Sequence, residues 1–251
     1  MSKKYRLPQI LRQRGFTVKE SLDLIRGGNV FVNGAPAKNP NFQVNPNKET
    51  IEIKSEKDLA AIEKIKESFP KKYYILNKPL ETITTTGTDN RRTVMDLFKV
   101  EANLKKTLFP VGRLDYETGG LLIVTNDGNF SHKLLNPKSK IEKEYHVLVR
   151  GKVSPTDIHE LERGVTIEVK EQMYKTQPAK VHVIEERDTT TRCSITICEG
   201  KRRQVRLMFL QVGHRVLELK RVRIGQLSLG KLKAGEYREL TPDELKMLMG
   251  E

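Results

Sequence analysis

One highly charged stretch, SEKDLAAIEKIKESFPKK (residues 55–72), constrains this chain more than any other feature. A segment so rich in charge and stopped by Pro70 reads as a partly helical linker, placed at residues 61–70, rather than as part of a buried core. The 251 residues then fall into a leading domain, 1–60, and a larger one, 71–251, big enough for a substantial core. No apolar run approaches the ~20 residues needed to cross a bilayer. The opening MSKKYRLPQI lacks the apolar stretch of a secretory signal, so the expected compartment is the cytoplasm. Cys193 and Cys198 are the only cysteines, and CSITIC lacks the C-x-x-C spacing of a zinc or thioredoxin site. Both read as small strand residues.

Lys and Arg outnumber Asp and Glu by 46 to 32, a formal net charge of +14. Residues 1–38 hold eight Lys/Arg against two acids, and residues 201–224 hold eight against one. A merely solvated surface would spread its charge; two dense basic stretches favour contact with phosphates, and a polyanion is the first partner to consider.

The leading domain is divided by its own punctuation. Gly15 closes a short helix, and Thr17 with Glu20 forms a capping box for a second, which is expected to bury Val18, Leu22 and Ile25 and to end at Gly27–Gly28. NVFVNGAPA reads as a strand entering an Asn33–Gly34 turn of type I′. Arg6, Arg12, Arg14, Lys19 and Arg26 surround the helices. This stretch resembles the S4 RNA-binding domain in the spacing from Arg6 through Gly15, the E-x-x-x-x-I-R-x-G run and V-N-G. It departs at Phe16-Thr17-Val18, where small and basic residues are usual. The resemblance implies a module laid against structured RNA.

Beyond the linker, strand-like runs occur at YYILNKP, ETITTT, LLIVT, YHVLV, AKVHVIEE and TRCSITI. Helices are expected after Thr93, between Ser154-Pro155 and Gly164, in RQVRLMFLQVG, and after the capping box Thr241-Pro242-Asp243-Glu244. Many strands without regular alternation predict an α+β chain: a small helical module, then a mixed, largely antiparallel sheet flanked by helices.

The chemistry concentrates in FPVGRLDYETGGLLIVTNDG. Asp115 lies in a short loop beside Arg113, flanked by Gly112, Gly119 and Gly120, which allow tight bends or close backbone approach. From the residues alone, Asp115 either caps a turn against Arg113 or is held for catalysis. Gly119-Gly120 makes a weak phosphate loop, lacking G-K-[ST] and a following helix. The five histidines are scattered and suggest no metal site.

Four ordered segments resemble pseudouridine synthases of the RsuA/RluB type: YYILNKP, GRLDYETGGLLIVTNDG, the LLNPKSKIEKEYHV stretch ending in K-x-Y, and EGKRRQVRLMF. Leu80-Glu81 departs from the basic or small residue followed by Gly that is usual after the first. The resemblance implies the pseudouridine synthase fold and an isomerase that breaks the N1–C1′ bond of a uridine in RNA, turns the base and rejoins it through C5, with no cofactor and no metal. Asp115 would supply the carboxylate near C1′/C2′, as nucleophile or as base. Arg206 would face it with an opposite charge, and Tyr145 would stack on the flipped base. Contacts to RNA fall to Lys78, Arg113, Arg202 and Arg203, with Arg6, Arg12, Arg14, Lys19 and Arg26 in the leading domain. Lys201, Arg215, Arg221 and Arg223 read as phosphate contacts or a solvated face. The expected substrate is structured ribosomal RNA, large subunit (23S-type) favoured over small, met by a monomer. The rivals are a non-catalytic RNA-binding or ribosome-assembly factor and a synthase acting on tRNA.

Overall fold

The computed structural model describes residues 5–13, 16, 18–45, 49–53, 70–87 and 89–250, with Arg12 and Gln13 described by their backbone alone. Gly15, Thr17 with its capping box, Arg14 and the linker before Pro70 lie outside the described residues. The chain divides into two compact units, residues 1–70 and 71–251.

In the first unit, β1 (Tyr5–Arg6) leads into α1 (Leu7–Gln13) and α2 (Val18–Arg26), followed by β2 (Val30–Val32), β3 (Ala35–Pro36), β4 (Gln43–Val44) and β5 (Ile51–Ile53). Strand β2 pairs antiparallel with β3 and β5, and β1 with β4. Asn33 and Gly34 both take positive φ (49° and 79°), the two left-handed residues of a type I′ turn. Helix α2 ends as its glycines require: Gly28 (φ 75°) donates its N–H to Ile25 O, and Asn29 donates to Leu24 O, closing a Schellman motif. The buried face of α2 is Ser21, Leu24 and Ile25. Val18 is 50% exposed and Leu22 only half-buried, so the stripe is rotated from the expected one. Ser21 is fully buried within this unit, where its small side chain permits close packing.

The second unit runs β6 (Tyr73–Lys78), α3 (Ala102–Thr107), β7 (Phe109–Pro110), β8 (Gly119–Thr125), α4 (Gly128–Leu135), β9 (Lys143–Arg150), α5 (Pro155–Arg163), β10 (Thr166–Val169), β11 (Gln172–Lys175), β12 (Lys180–Glu186), β13 (Thr190–Ile197), α6 (Gln204–Gln211), β14 (Val216–Ile224), β15 (Leu227–Ser228), β16 (Tyr237–Glu239) and α7 (Pro242–Met249). Its main sheet has the order β12-β13-β9-β14-β8-β6-β16, with β15 on β14 and β7 on β8. The β14–β8 contact is parallel and the other pairs are antiparallel. Every residue of β8, GGLLIVT, is buried, because both faces of the central strands are covered. On one side Leu122, Val124, Val147 and Ile195 pack with Val205, Met208 and Phe209 of α6. On the other, Ile75, Leu121 and Ile123 pack with Phe130 and Leu134 of α4 and Leu248 of α7.

ETITTT forms no strand; Ile83 makes one isolated bridge to Thr93, and the helix expected after Thr93 is a single 3-10 turn, Val94–Leu97. Glu81, where the related sequences favour glycine, has φ 55°, and its N–H donates to Tyr116 O at 2.9 Å. The left-handed region costs a side-chain-bearing residue roughly 1–2 kcal/mol, offset in part by glycine's larger unfolded-state entropy. Glu81→Gly should therefore gain up to about 1 kcal/mol, raising the thermal midpoint by about 2–4 °C. A lower midpoint in thermal unfolding would count against this account of the turn.

Candidate active site

Asp115 stands in the connection between β7 and β8, and the backbone around it is fastened at nearly every residue. Val111 N–H donates to Ile123 O (2.8 Å), Thr118 N–H to Asp115 O (3.0 Å), and Glu81 N–H to Tyr116 O. Thr84 Oγ1 donates to Leu114 O at 2.8 Å and accepts from Leu114 N–H at 3.4 Å. The carboxylate itself is treated differently: among the described residues it has no hydrogen bond and no ion pair within 4.0 Å. It is half-buried at a cavity of about 330 Å³ lined also by Arg113, Tyr145, Arg202 and Arg203. Tyr145, 8% exposed, reaches that cavity from β9.

Two other residues assigned to the site stand behind the loop. Lys78 is 1% exposed and lies at the end of β6, where its ammonium donates to Pro79 O and Thr118 O, both at 2.9 Å. It therefore cannot be the RNA contact expected from the sequence; it ties the end of β6 to the start of β8. Burial pushes Lys78 down to about 8, with the charge of Asp115 opposing the shift. Arg206, on the first turn of α6, does not line the cavity and makes no direct pair with Asp115. Its Nη2 donates to Glu117 O at 2.8 Å and its Nη1 to Val216 O at 3.3 Å, because these two carbonyls lie within the guanidinium's reach. Burial lowers Arg206 from its ordinary value; Glu117 opposes that most strongly, Arg203 adds to it, and Asp115 opposes it more weakly.

The loop before α6 is built by the E-G-x-x-x-Q spacing. Gln204, at the start of α6, accepts from Lys201 N–H at 2.8 Å and donates to Glu199, whose other oxygen accepts from Tyr174 Oη. Arg203 takes a left-handed φ of 53° and pairs with Glu117 at 3.1 Å, while Arg202 and Lys201 remain exposed at the cavity. Arg223, expected at phosphate or on a solvated face, is engaged by Glu144 (2.7 Å) and Glu142 (3.2 Å). Arg221 was also expected on the surface and is 4% exposed. The alternation of Leu219 and Arg221 on β14 was the available signal, but the strand was not anticipated. Of the leading-domain cations, Arg6, Lys19 and Arg26 are exposed. Among the described residues no three His, Cys, Asp or Glu converge as metal ligands, and no helix is long and apolar enough to cross a membrane.

Known proteins resemble both units. The RNA pseudouridylate synthase family matches residues 72–211, and the S4 domain matches residues 6–49. The uncharacterized RNA pseudouridine synthase YtzG of Bacillus subtilis (strain 168) is 38% identical over 245 residues, 97% of this chain and 98% of the relative. Ribosomal large subunit pseudouridine synthase B of the same strain is 36% identical over 97% of this chain and 95% of its own length. Ribosomal small subunit pseudouridine synthase A of Escherichia coli (strain K12) is 34% identical over 88% of this chain and 89% of its own. A crystal structure of a pseudouridylate synthase superposes with a TM-score of 0.67 at 28% identity, covering 97% of this chain and 99% of that one. The chain belongs to the RNA pseudouridylate synthase family, in its RsuA/RluB branch with an S4 domain, and is an RNA uridine isomerase.

The buried ammonium of Lys78 generates a pH prediction. Its folded-state value is depressed, so the unfolded chain binds more protons between about 8 and 10.5, and folding gains stability as pH rises through that window. Activity should move the other way, since the charge near Asp115 disappears above about pH 8. Single-turnover rates should fall there in the wild type, whereas Lys78→Met should be about tenfold slower at pH 7, roughly 1.4 kcal/mol, with no such fall. A wild-type profile that Lys78→Met reproduces would remove Lys78 from the reaction.

Proposed function

We propose that the enzyme isomerises one uridine of ribosomal RNA, with the large subunit favoured, at the cavity beside Asp115. The observation that carries this reading is a carboxylate without a partner among the described residues, on a loop whose backbone is hydrogen-bonded at most of its residues. The base lies against Tyr145, and the carboxylate acts at C1′ or C2′ of the sugar as the N1–C1′ bond breaks. Arg206 contributes by holding Glu117 O and by its charge, and Lys78 by pinning Thr118 O. Arg113, Arg202 and Arg203 engage phosphates at the cavity rim. The leading domain, residues 1–60, captures structured RNA through Arg6, Lys19 and Arg26 and through Arg12 and Arg14. A monomer in the cytoplasm suffices for this scheme. The large-subunit preference is supported by the Y-E-T-G-G-L-L and R-Q-V-R forms and by the longer alignment with the large-subunit relative. Mapping pseudouridines in both ribosomal RNAs of a strain lacking the protein tests it; a lost modification in the small subunit would reverse the assignment.

Asp115→Asn keeps size and removes charge, so RNA should bind normally while the single-turnover rate drops by more than about a thousandfold, within the range of a positioned acid–base group. Near-normal pseudouridine formation by the purified variant would reject the role of Asp115. For the leading domain, Arg6→Ala, Lys19→Ala and Arg26→Ala combined should weaken RNA binding and flatten its dependence on salt. The expected change is about 0.7–0.9 in the logarithmic slope for each lost phosphate contact. The rate at saturating RNA should hold; an unchanged slope would remove these residues from RNA capture.

A further inference from the structure

Arg221 is a buried cation to which the scheme above gives no task. It lies on β14 between two strands of the site, opposite Tyr145 of β9 on one side and Gly120 of β8 on the other. Its Nε donates to Leu121 O at 2.8 Å, while its Nη2 is buried and has no hydrogen-bond partner among the described residues. The residue lines the same cavity as Asp115 and Tyr145. Lys143, two residues before Tyr145 and so on the same face of β9, lines it too. Burial lowers Lys143 from its ordinary value, and the charge of Arg221 lowers it further, so two cations crowd one wall. The acid among the lining residues is Asp115.

A buried donor without a partner costs ~1–3 kcal/mol, and more when charged, so a native structure that keeps one calls for an explanation. A ligand that brings the missing acceptor supplies it. We propose that Arg221 holds a carbonyl oxygen of the reacting uracil and stabilises the base while it is detached from the sugar. This rests on the reading of the cavity as the place of reaction. When the N1–C1′ bond breaks, its electron pair stays with the base, giving a uracil anion with charge spread over N1, O2 and O4. A guanidinium has only donors to offer, so Arg221 meets that charge without taking part in proton transfer. When C5 joins C1′, the C5 proton leaves and N1 regains one, and the base is neutral again. A phosphate contact suits Arg221 less well, since the exposed Arg202 and Arg203 stand at the rim while Arg221 is nearly solvent-free.

The test compares wild type, Arg221→Lys and Arg221→Met in single turnover on RNA carrying uridine, 2-thiouridine or 4-thiouridine at the mapped position. Sulfur accepts hydrogen bonds poorly. Arg221→Met should lose about a hundredfold in saturating rate, with Kd within about twofold and an unchanged salt slope. Arg221→Lys should lose less. The ratio of wild type to variant should shrink on one of the thio-substituted RNAs, as expected for two partners of one contact. An equal ratio on all three RNAs overturns the proposal, as does a loss confined to Kd and the salt slope, which marks a phosphate contact. Asp115→Asn serves as the control: if it still turns over, the reading of the cavity fails. If it is inactive while both Arg221 variants keep the wild-type rate, the role of Arg221 alone fails. Should neither variant fold, ¹⁵N spectra of the wild-type guanidinium groups decide. Arg221 signals must differ between RNA with uridine and RNA with an abasic residue at the mapped position, and identical signals overturn the inference.

Discussion

The parallel contact between β8 and β14 is the constraint on which the rest of the catalytic unit depends. A Cβ at Gly120, which has φ 101°, would lie 2.1 Å from the carbonyl oxygen of Arg221, so no other residue allows the two backbones to meet. That approach joins β6, β8 and β16 to β9, β12 and β13 in one sheet. It also brings the Asp115 loop, which feeds directly into Gly119, against the strand that neighbours Tyr145. The Gly119-Gly120 pair therefore serves packing of strand on strand, and its lack of phosphate-loop context in the sequence is consistent with that role.

Around this junction the protein buries cations that most proteins would leave in water. Lys78, Arg221 and, in part, Lys143 and Arg206 are buried in this region, and the charge of Asp115 acts on Lys78 and Arg206. Burying a charge is unfavourable unless hydrogen bonds or opposite charges compensate, and here backbone carbonyls do much of it. Lys78 uses Pro79 O and Thr118 O, Arg206 uses Glu117 O and Val216 O, and Arg221 uses Leu121 O. Carbonyl partners fix these cations without neutralising them. The resulting positive field suits a polyanionic substrate, whereas carboxylate partners such as those of Arg223 would have cancelled it.

Much of this was legible in the residues. Asn33–Gly34, the helix start at Ser154-Pro155 with its stop at Gly164, the Thr241 capping box and the apolar run of β8 are local signals whose physics needs no tertiary context, and each appears as expected. The loop with Asp115 was visible through its glycines. The hairpin between β10 and β11 was not, because Lys170 and Glu171 adopt φ 52° and 62° without the glycine or asparagine that announces such a turn. Lys78, Arg221 and Arg223 were misread for a shared reason. A charged residue in a sequence reads as solvated, and only the register of the sheet reveals which carbonyl or carboxylate it will meet.

The contrast within the Asp115 loop links structure to chemistry. Thr84 and Lys78 spend buried polar groups on the carbonyls of Leu114 and Thr118, and Glu81 accepts a left-handed backbone while its N–H reaches Tyr116 O. Together they fix the carbonyls on both sides of Asp115 and leave its side chain without a partner among the described residues. A reacting group held by its backbone loses little freedom when substrate arrives, and a carboxylate with no internal hydrogen bond has none to break before it acts. The strain at Glu81 and the burial of Lys78 are thus stability costs borne at the one loop where rigidity and an unengaged side chain are needed together.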